Sequence, residues 1–301
     1  MRPNDCFERY PLVTFLLSYT NADAFLSVQG SERDVTMTKA LMLTLLLGLA
    51  APSAQQISTG DDWCREDNWG RDRAGVCEVR EFTMAASGGV VQVDASPNGG
   101  IMVSGGPRAD ILVHAKVVAT ADTESRASEI LRSVQVSAGG NTVQASGPRQ
   151  SRDRESWHVS YRLHVPTQTS VDLRSVNGGI SIMDVDGRIA FRTTNGGVKL
   201  TRLAGDVQGR TVNGGVNVDL DGVSWRGEGL DVQTQNGGVK LAIPSEYSAR
   251  LEAGTVNGRI RVDFPLTVQG RIDRDVEATL GAGGPLVRVR TMNGGVNIAR
   301  K

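Results

Sequence analysis

Aromatic residues are scarce in this 301-residue chain: four Trp, four Tyr and six Phe make up 5% of it. Net charge is absent as well, because 33 basic residues balance 33 acidic ones. A balanced chain with no motif that combines aromatic and basic residues is not built for general nucleic-acid binding, and nucleic acid is not an expected partner. Long apolar runs are also missing. The run over residues 40–51 falls short of the ~20 residues that a membrane-spanning helix needs. There is no Lys-Ser/Thr after the glycine-rich stretch Gly281-Ala282-Gly283-Gly284-Pro285, so that stretch is a flexible turn and not a phosphate loop. Neither an EF-hand loop nor a calcium-binding nonapeptide occurs. No catalytic residue, cofactor or metal is therefore assigned from these motifs.

Cysteine is rare too, with three in the chain. Met37-Thr38-Lys39, the apolar run 40–51 and then Pro52-Ser53-Ala54-Gln55 have the order of a signal peptide: basic start, apolar stretch, small residues. Residues 37–54 are read as that peptide, with cleavage after Ala54, and residues 1–36 as a mis-assigned upstream extension. No cysteine stands directly after the apolar run, which argues against a lipid anchor. The mature chain keeps two cysteines, Cys64 and Cys77, inside a polar segment, 55–77. In an oxidising compartment two such cysteines pair. A redox or metal role finds little support, since there is no C-x-x-C and no neighbouring histidine. The protein is expected to be exported: periplasmic, cell-surface or secreted.

What the chain has in abundance is glycine, 36 residues, much of it in one recurring phrase. Ser175-Val176-Asn177-Gly178-Gly179-Ile180-Ser181-Ile182 returns, as [ST]-x-N-G-[GR]-[VI]-x-[VIL], around Asn195, Asn213, Asn236, Asn257 and Asn293. A period near 20 residues marks a solenoid or array. Before each asparagine, apolar residues alternate with polar ones (Val171/Leu173/Ser175, Ile189/Phe191/Thr193), as in a half-buried strand. After it the apolar set moves by one residue (Ile180/Ile182, Val198/Leu200). Each repeat is thus strand, Asn-Gly corner, strand, and the corner glycine is expected because such corners need positive φ. Asn-Gly between alternating runs also suits an antiparallel meander of hairpins. Identical residues at identical places favour stacked coils, where like side chains form ladders ~4.8 Å apart. The expected fold is all-β: a β-solenoid of Asn-Gly-Gly coils over 167–301, preceded by a strand-rich part, 78–166.

Within that strand-rich part, Pro97-Asn98-Gly99-Gly100-Ile101 is an imperfect early copy of the repeat. One short helix is expected over 121–133, where Ala127, Ile130, Leu131 and Val134 fall at helical spacing after a cap at Asp122 or Thr123. Trp157, Val159, Tyr161, Leu163 and Val165 alternate and end at Pro166. Residues 222–229, with Trp225, form a loop insertion, and an excursion between Phe264 and Leu286 lacks the Asn-Gly phrase. The end of the solenoid must be capped, either by the charged C-terminal residues or by that excursion.

Trp63-Cys64 with Cys77-Glu78-Val79-Arg80-Glu81, the strand from Trp157 to Pro166 and the repeated Asn-Gly coils resemble a bacterial family whose members are provisionally called adhesins. It is a domain of unknown function built as a β-solenoid, and the resemblance spans about 78–301. It implies an exported, non-enzymatic protein and carries over no catalytic residue.

The carboxylates that a carbohydrate-cleaving solenoid would need are Asp184, Asp186, Asp219 and Asp221. They sit in Asp-x-Asp-Gly turns, where turn geometry alone accounts for them. His114, His158 and His164 are scattered, and no third ligand follows at metal-site spacing. Arg174, Arg192 and Arg210 stand three residues before their asparagines, and Lys199, Lys240 and Arg261 four residues after theirs, all on outward positions. They form a candidate polyanion-binding stripe, set against the plainer reading of a solvated face partly neutralised by Asp172, Asp231 and Glu252. The leading expectation is an adhesin-like structural or interaction protein that presents a flat solenoid face to an envelope or extracellular partner. That partner is an anionic glycan, an envelope polymer or another protein. The alternatives are a carbohydrate-active β-helix enzyme and a periplasmic signalling or binding accessory.

Overall fold

The computed structural model describes residues 56–58, 62–65, 73–149, 154–265 and 274–301. The expected upstream extension and signal peptide lie outside them. Strands dominate. Among the described residues they form one 11-stranded and one 10-stranded sheet, whose facing sides share a single apolar core. We call the sheet that contains the strands before each asparagine the leading sheet, and the sheet that contains those after it the trailing sheet.

The repeats stack in parallel and in register. Val171–Arg174 lies beside Asp186–Asn195, which lies beside Ala204–Asn213, then Gly229–Asn236. In the trailing sheet, Ile180–Met183 is followed by Val198–Thr201, Val216–Asp219 and Val239–Ile243. This parallel pairing excludes the hairpin meander. The alternation read from sequence faces inward as expected: Ile182, Leu200, Val207, Leu230, Val232, Val239 and Leu241 are each at most 2% exposed. Full burial of such side chains contributes ~1.5–3 kcal/mol each. Where one coil has Phe191, its neighbour has Gly209, and a Cβ there would lie 2.4 Å from the ring. The phenyl group occupies the space the glycine leaves.

Two ladders run up the corner. Each Asn side chain donates from Nδ2 to Oδ1 of the next: 177 to 98, 195 to 177, 213 to 195, 236 to 213, 293 to 236 and 257 to 293, at 2.7–2.8 Å. Inside it, the Ser/Thr two residues earlier donates to a glycine carbonyl of the adjacent coil. Thr193 reaches Gly178, Thr211 reaches Gly196 and Thr234 reaches Gly214, at 2.7–2.8 Å. These hydroxyls are buried and satisfied, as buried polar groups must be.

The corner glycines correct one expectation. None of Gly178, Gly196, Gly214, Gly237 and Gly294 has positive φ. They are needed because the coils touch there: a Cβ would fall 2.0–2.2 Å from the carbonyl oxygen of the glycine in the neighbouring coil. Positive φ occurs instead at the opposite turn, at Asp184 (58°) and Arg202 (50°).

Chain order and spatial order differ at the C-terminal end. The last coil, Leu286–Asn293 and Val296–Arg300, is inserted between the Asn236 coil and the Asn257 coil. Residues near Lys301 therefore do not cap the stack. In the leading sheet the excursion does, through Asp275–Leu280 paired antiparallel to Ala249–Asn257. The 222–229 insertion is not a loose loop: Trp225 is 4% exposed and its Nε1 donates to Gly205 O at 3.0 Å.

At the other end, Val91–Asp94 and Ile101–Gly106 stack on the Asn177 coil, so the early copy at Asn98 is a full member and both sheets cross residue 166 without a break. Ser156–Pro166 adds parallel to Ile101–Gly106 and antiparallel to Asp110–Ala121, which pairs with Ala74–Ala85. The helix is Glu124–Ser133. Thr123 Oγ1 caps its start by accepting from Arg126 N, and Ala127, Ile130 and Leu131 are buried. Buried Arg80 binds the carbonyls of Val134 and Leu131 at its far end, at 2.6 and 3.1 Å. Cys64 and Cys77 form a disulfide with Cα atoms 5.8 Å apart, fixing the short turn Asp62–Cys64 to the strand Ala74–Ala85.

Candidate binding faces

A parallel, in-register stack turns each outward position of the repeat into a column of side chains about 4.8 Å apart. The six residues proposed as one stripe fall into two columns on different sheets, because the strands before and after the corner belong to opposite sides of the core. In the leading sheet the column runs Asp94, Arg174, Arg192, Arg210, Gln233, Arg290, Gly254. In the trailing sheet it runs Arg162, Met102, Ser181, Lys199, Asn217, Lys240, Asn297, Arg261.

The leading-sheet column is partly neutralised. Arg174 Nη2 donates to Asp172 Oδ2 at 2.8 Å, and that bond holds the guanidinium pKa above its ordinary value. Arg290 lies 3.6 Å from Glu252, whose carboxylate also accepts from Arg288 Nε at 2.7 Å. The bond from Arg288 keeps Glu252 below the usual glutamate range. Arg192 and Arg210 make no ion pair among the described residues. Past them, Gly254 opens a groove of about 720 Å³ edged by Arg210, Arg290, Met292, Val256 and Asp275.

The trailing-sheet column contains no acid. Lys199, Lys240 and Arg261 are exposed and have no ion-pair partner among the described residues. Beside them runs a second outward column, Gly100, Gly179, Gly197, Gly215, Gly238 and Gly295, which ends at Arg259. The [GR] position of the repeat is Arg only in the coil at the end of the stack. A shallow trough follows these glycines. It holds a hollow of about 420 Å³ near Trp63 and Met102 and another of about 610 Å³ near Lys240 and Arg261, both reaching Asn217. Trp63 closes one end, with the Arg162 guanidinium 3.8 Å over its ring and its carbonyl accepting from Lys116 Nζ at 3.1 Å. Sequence reasoning missed Trp63 and Arg162, which only the sheet pairing brings together.

Two of the four carboxylates considered for catalysis are engaged in ion pairs. Asp184 binds Arg202 through Nε and Nη2, both at 2.6 Å, and the hydrogen bond holds its carboxyl below the usual aspartate range. A general acid needs the opposite shift. Asp219 pairs with Lys301 Nζ. His158 and His164 share a strand, yet the close pair is His114 and His164, with ring centroids 5.8 Å apart. His114 Nε2 lies 3.1 Å from Glu81 and His164 Nδ1 lies 2.8 Å from Ser104 Oγ. Burial first, then the charges of His114, Arg108 and Arg162, push the His164 pKa down. Among the described residues, no group of three His, Cys, Asp or Glu is placed to hold a metal ion, and no helix is long and apolar enough to cross a membrane.

Residues 166–299 match the family model described as Toastrack DUF4097. Three solved structures, all bearing provisional names, are similar in outline. A cell adhesion protein from Clostridium sporogenes is 9% identical at a TM-score of 0.42, covering 76% of this chain and 100% of its own. An adhesin from Bacteroides fragilis is 12% identical at 0.37, covering 75% and 97%. A lipid binding protein from Parabacteroides distasonis is 11% identical at 0.29, covering 74% and 96%. No curated protein matches the chain.

Proposed function

We propose, from the match of residues 166–299 to the family model described as Toastrack DUF4097, that the protein is an exported, non-enzymatic interaction scaffold. Its stacked Asn-Gly-Gly coils present flat, ladder-patterned faces to an anionic polymer of the cell envelope or its surroundings. One observation carries this reading: on the trailing sheet, outward cations without an acidic neighbour in their column recur at places fixed by the coil register. A rigid sheet holds those cations in place before binding, so little conformational entropy is lost on association. The Cys64–Cys77 disulfide supports an oxidising compartment. The ion pair at Asp184 weighs against the carbohydrate-cleaving alternative.

The test is where the native protein resides. Cells are fractionated, protease is added from outside, and the mature N-terminus is read by mass spectrometry together with the redox state of Cys64 and Cys77. An oxidised, envelope-exposed protein beginning near Gln55 is the expected result. A cytoplasmic protein with free thiols would refute export and, with it, the scaffold reading.

A further inference from the structure

The insertion of the last coil changes the order of charges on the trailing sheet. In chain order the outward residues read Ser181, Lys199, Asn217, Lys240, Arg261, Asn297. In space Asn297 sits between Lys240 and Arg261. The sequence of side chains becomes Lys199, Asn217, Lys240, Asn297, Arg261: a cation on every second coil, with an amide between. At about 4.8 Å per coil the cations repeat at roughly 9.6 Å.

We propose that this face binds a linear polysaccharide bearing one carboxylate on every second sugar, lying along the stack with successive carboxylates on Lys199, Lys240 and Arg261. The inference rests on the scaffold reading and names its ligand class and site. An extended pyranose unit is about as long as one inter-strand spacing, so such a polymer repeats its charge on the interval of the cations. Asn217 and Asn297 then face the uncharged sugars, and their amides both donate to and accept from hydroxyl groups. The column itself has no acid; of the acids beside it, Asp219 is paired with Lys301 and Asp263 accepts from Arg300 N at 3.0 Å. The glycine column beside it leaves room for the chain. That room is not demanded by the fold at Gly197, Gly215 and Gly238, where a Cβ would sit 3.4–3.6 Å from its nearest neighbour, an ordinary contact.

The full mature chain is immobilised and probed with hyaluronan fragments (a carboxylate on alternate sugars), polygalacturonate (a carboxylate on every sugar) and a neutral β-glucan, at equal carboxylate concentration where charged. Hyaluronan is expected to bind most tightly and the neutral glucan not to bind. Lys199→Gln with Lys240→Gln removes two charge-assisted contacts and weakens binding by about tenfold or more. Arg192→Gln with Arg210→Gln, on the other sheet, leaves it unchanged. Circular dichroism confirms that each variant is folded. Binding that follows charge density, with polygalacturonate tighter, overturns the proposal. Loss in the arginine variant and not in the lysine variant overturns the assigned face while the scaffold reading stands. No retention of any polymer by the parent protein overturns the ligand class, and the localisation experiment reads the scaffold role separately.

Discussion

Gly196 and Gly197 are adjacent, both lack positive φ, and the structure predicts opposite results for them. A Cβ on Gly196 would lie 2.0 Å from Gly178 O, 2.5 Å from its carbonyl carbon and 2.9 Å from Gly179 N. Relief requires the two coils to separate by about 1 Å, and a tightly packed interior accommodates such a change poorly. Separation strains three bonds between the coils: Gly178 N to Asn195 O at 3.0 Å, Thr193 Oγ1 to Gly178 O at 2.8 Å and Asn195 Nδ2 to Asn177 Oδ1 at 2.7 Å. Overpacking costs ~1–3 kcal/mol and each weakened hydrogen bond up to ~0.5–1.5 kcal/mol, so Gly196→Ala loses about 3–5 kcal/mol. In Gly197→Ala the nearest atom to the new Cβ is Gly215 O at 3.6 Å. The main effect there is a less flexible unfolded chain, worth ~0.4–1 kcal/mol of stabilisation. Urea unfolding should separate the two variants by more than about 1 M in midpoint. Equal midpoints, or a Gly197 variant less stable than the Gly196 variant, would refute the account of coil contact.

Three further outcomes follow from the same geometry. Asn293→Ala removes two amide bonds of the ladder and Asn257→Ala one, so the first should lose about 1–2 kcal/mol in urea unfolding and the second about half as much. Opening the Cys64–Cys77 bridge, which spans 13 residues, with the double Ser variant should cost ~3 kcal/mol on the chain-entropy estimate and weaken hyaluronan binding by loosening Trp63. A thermal melt series should be insensitive to the first change if the bridge adds nothing. His164 titrates below its ordinary 6.5 in the folded protein, so the unfolded chain takes up its proton first as pH falls. Stability is fully present above about 6.5 and declines as pH drops through the folded value. His164→Gln should flatten that slope, and an unchanged slope would show that other groups set it.

The repeat made much of this fold legible. Strand, corner and strand follow from the one-residue shift in alternation at each Asn-Gly, and the Thr ladder from its constant place two residues earlier. The helix Glu124–Ser133 was marked by Ala127, Ile130 and Leu131 and by its Thr123 cap. Four features lay beyond the sequence for physical reasons. The coils share one register, so the Asn293 coil fits between the Asn236 and Asn257 coils as well as at the end, and local pattern does not distinguish the two. Glycine permits both positive φ and close approach, and only the neighbouring coil shows that close approach is the cause. The two halves of the proposed stripe have the same outward parity, but the corner sends them to opposite sides of the core. The pairing of Trp63 with Arg162 depends on a disulfide and on sheet order together.

Calorimetric titration with hyaluronan oligosaccharides that carry one, two, three and four carboxylates tests the charge register most directly. The account predicts affinity that rises stepwise to three carboxylates, matching Lys199, Lys240 and Arg261, and then levels off. Each step should weaken as added salt shortens the screening length from ~10 Å at 0.1 M. Affinity that does not depend on length, or that climbs evenly through four carboxylates and beyond, would contradict it.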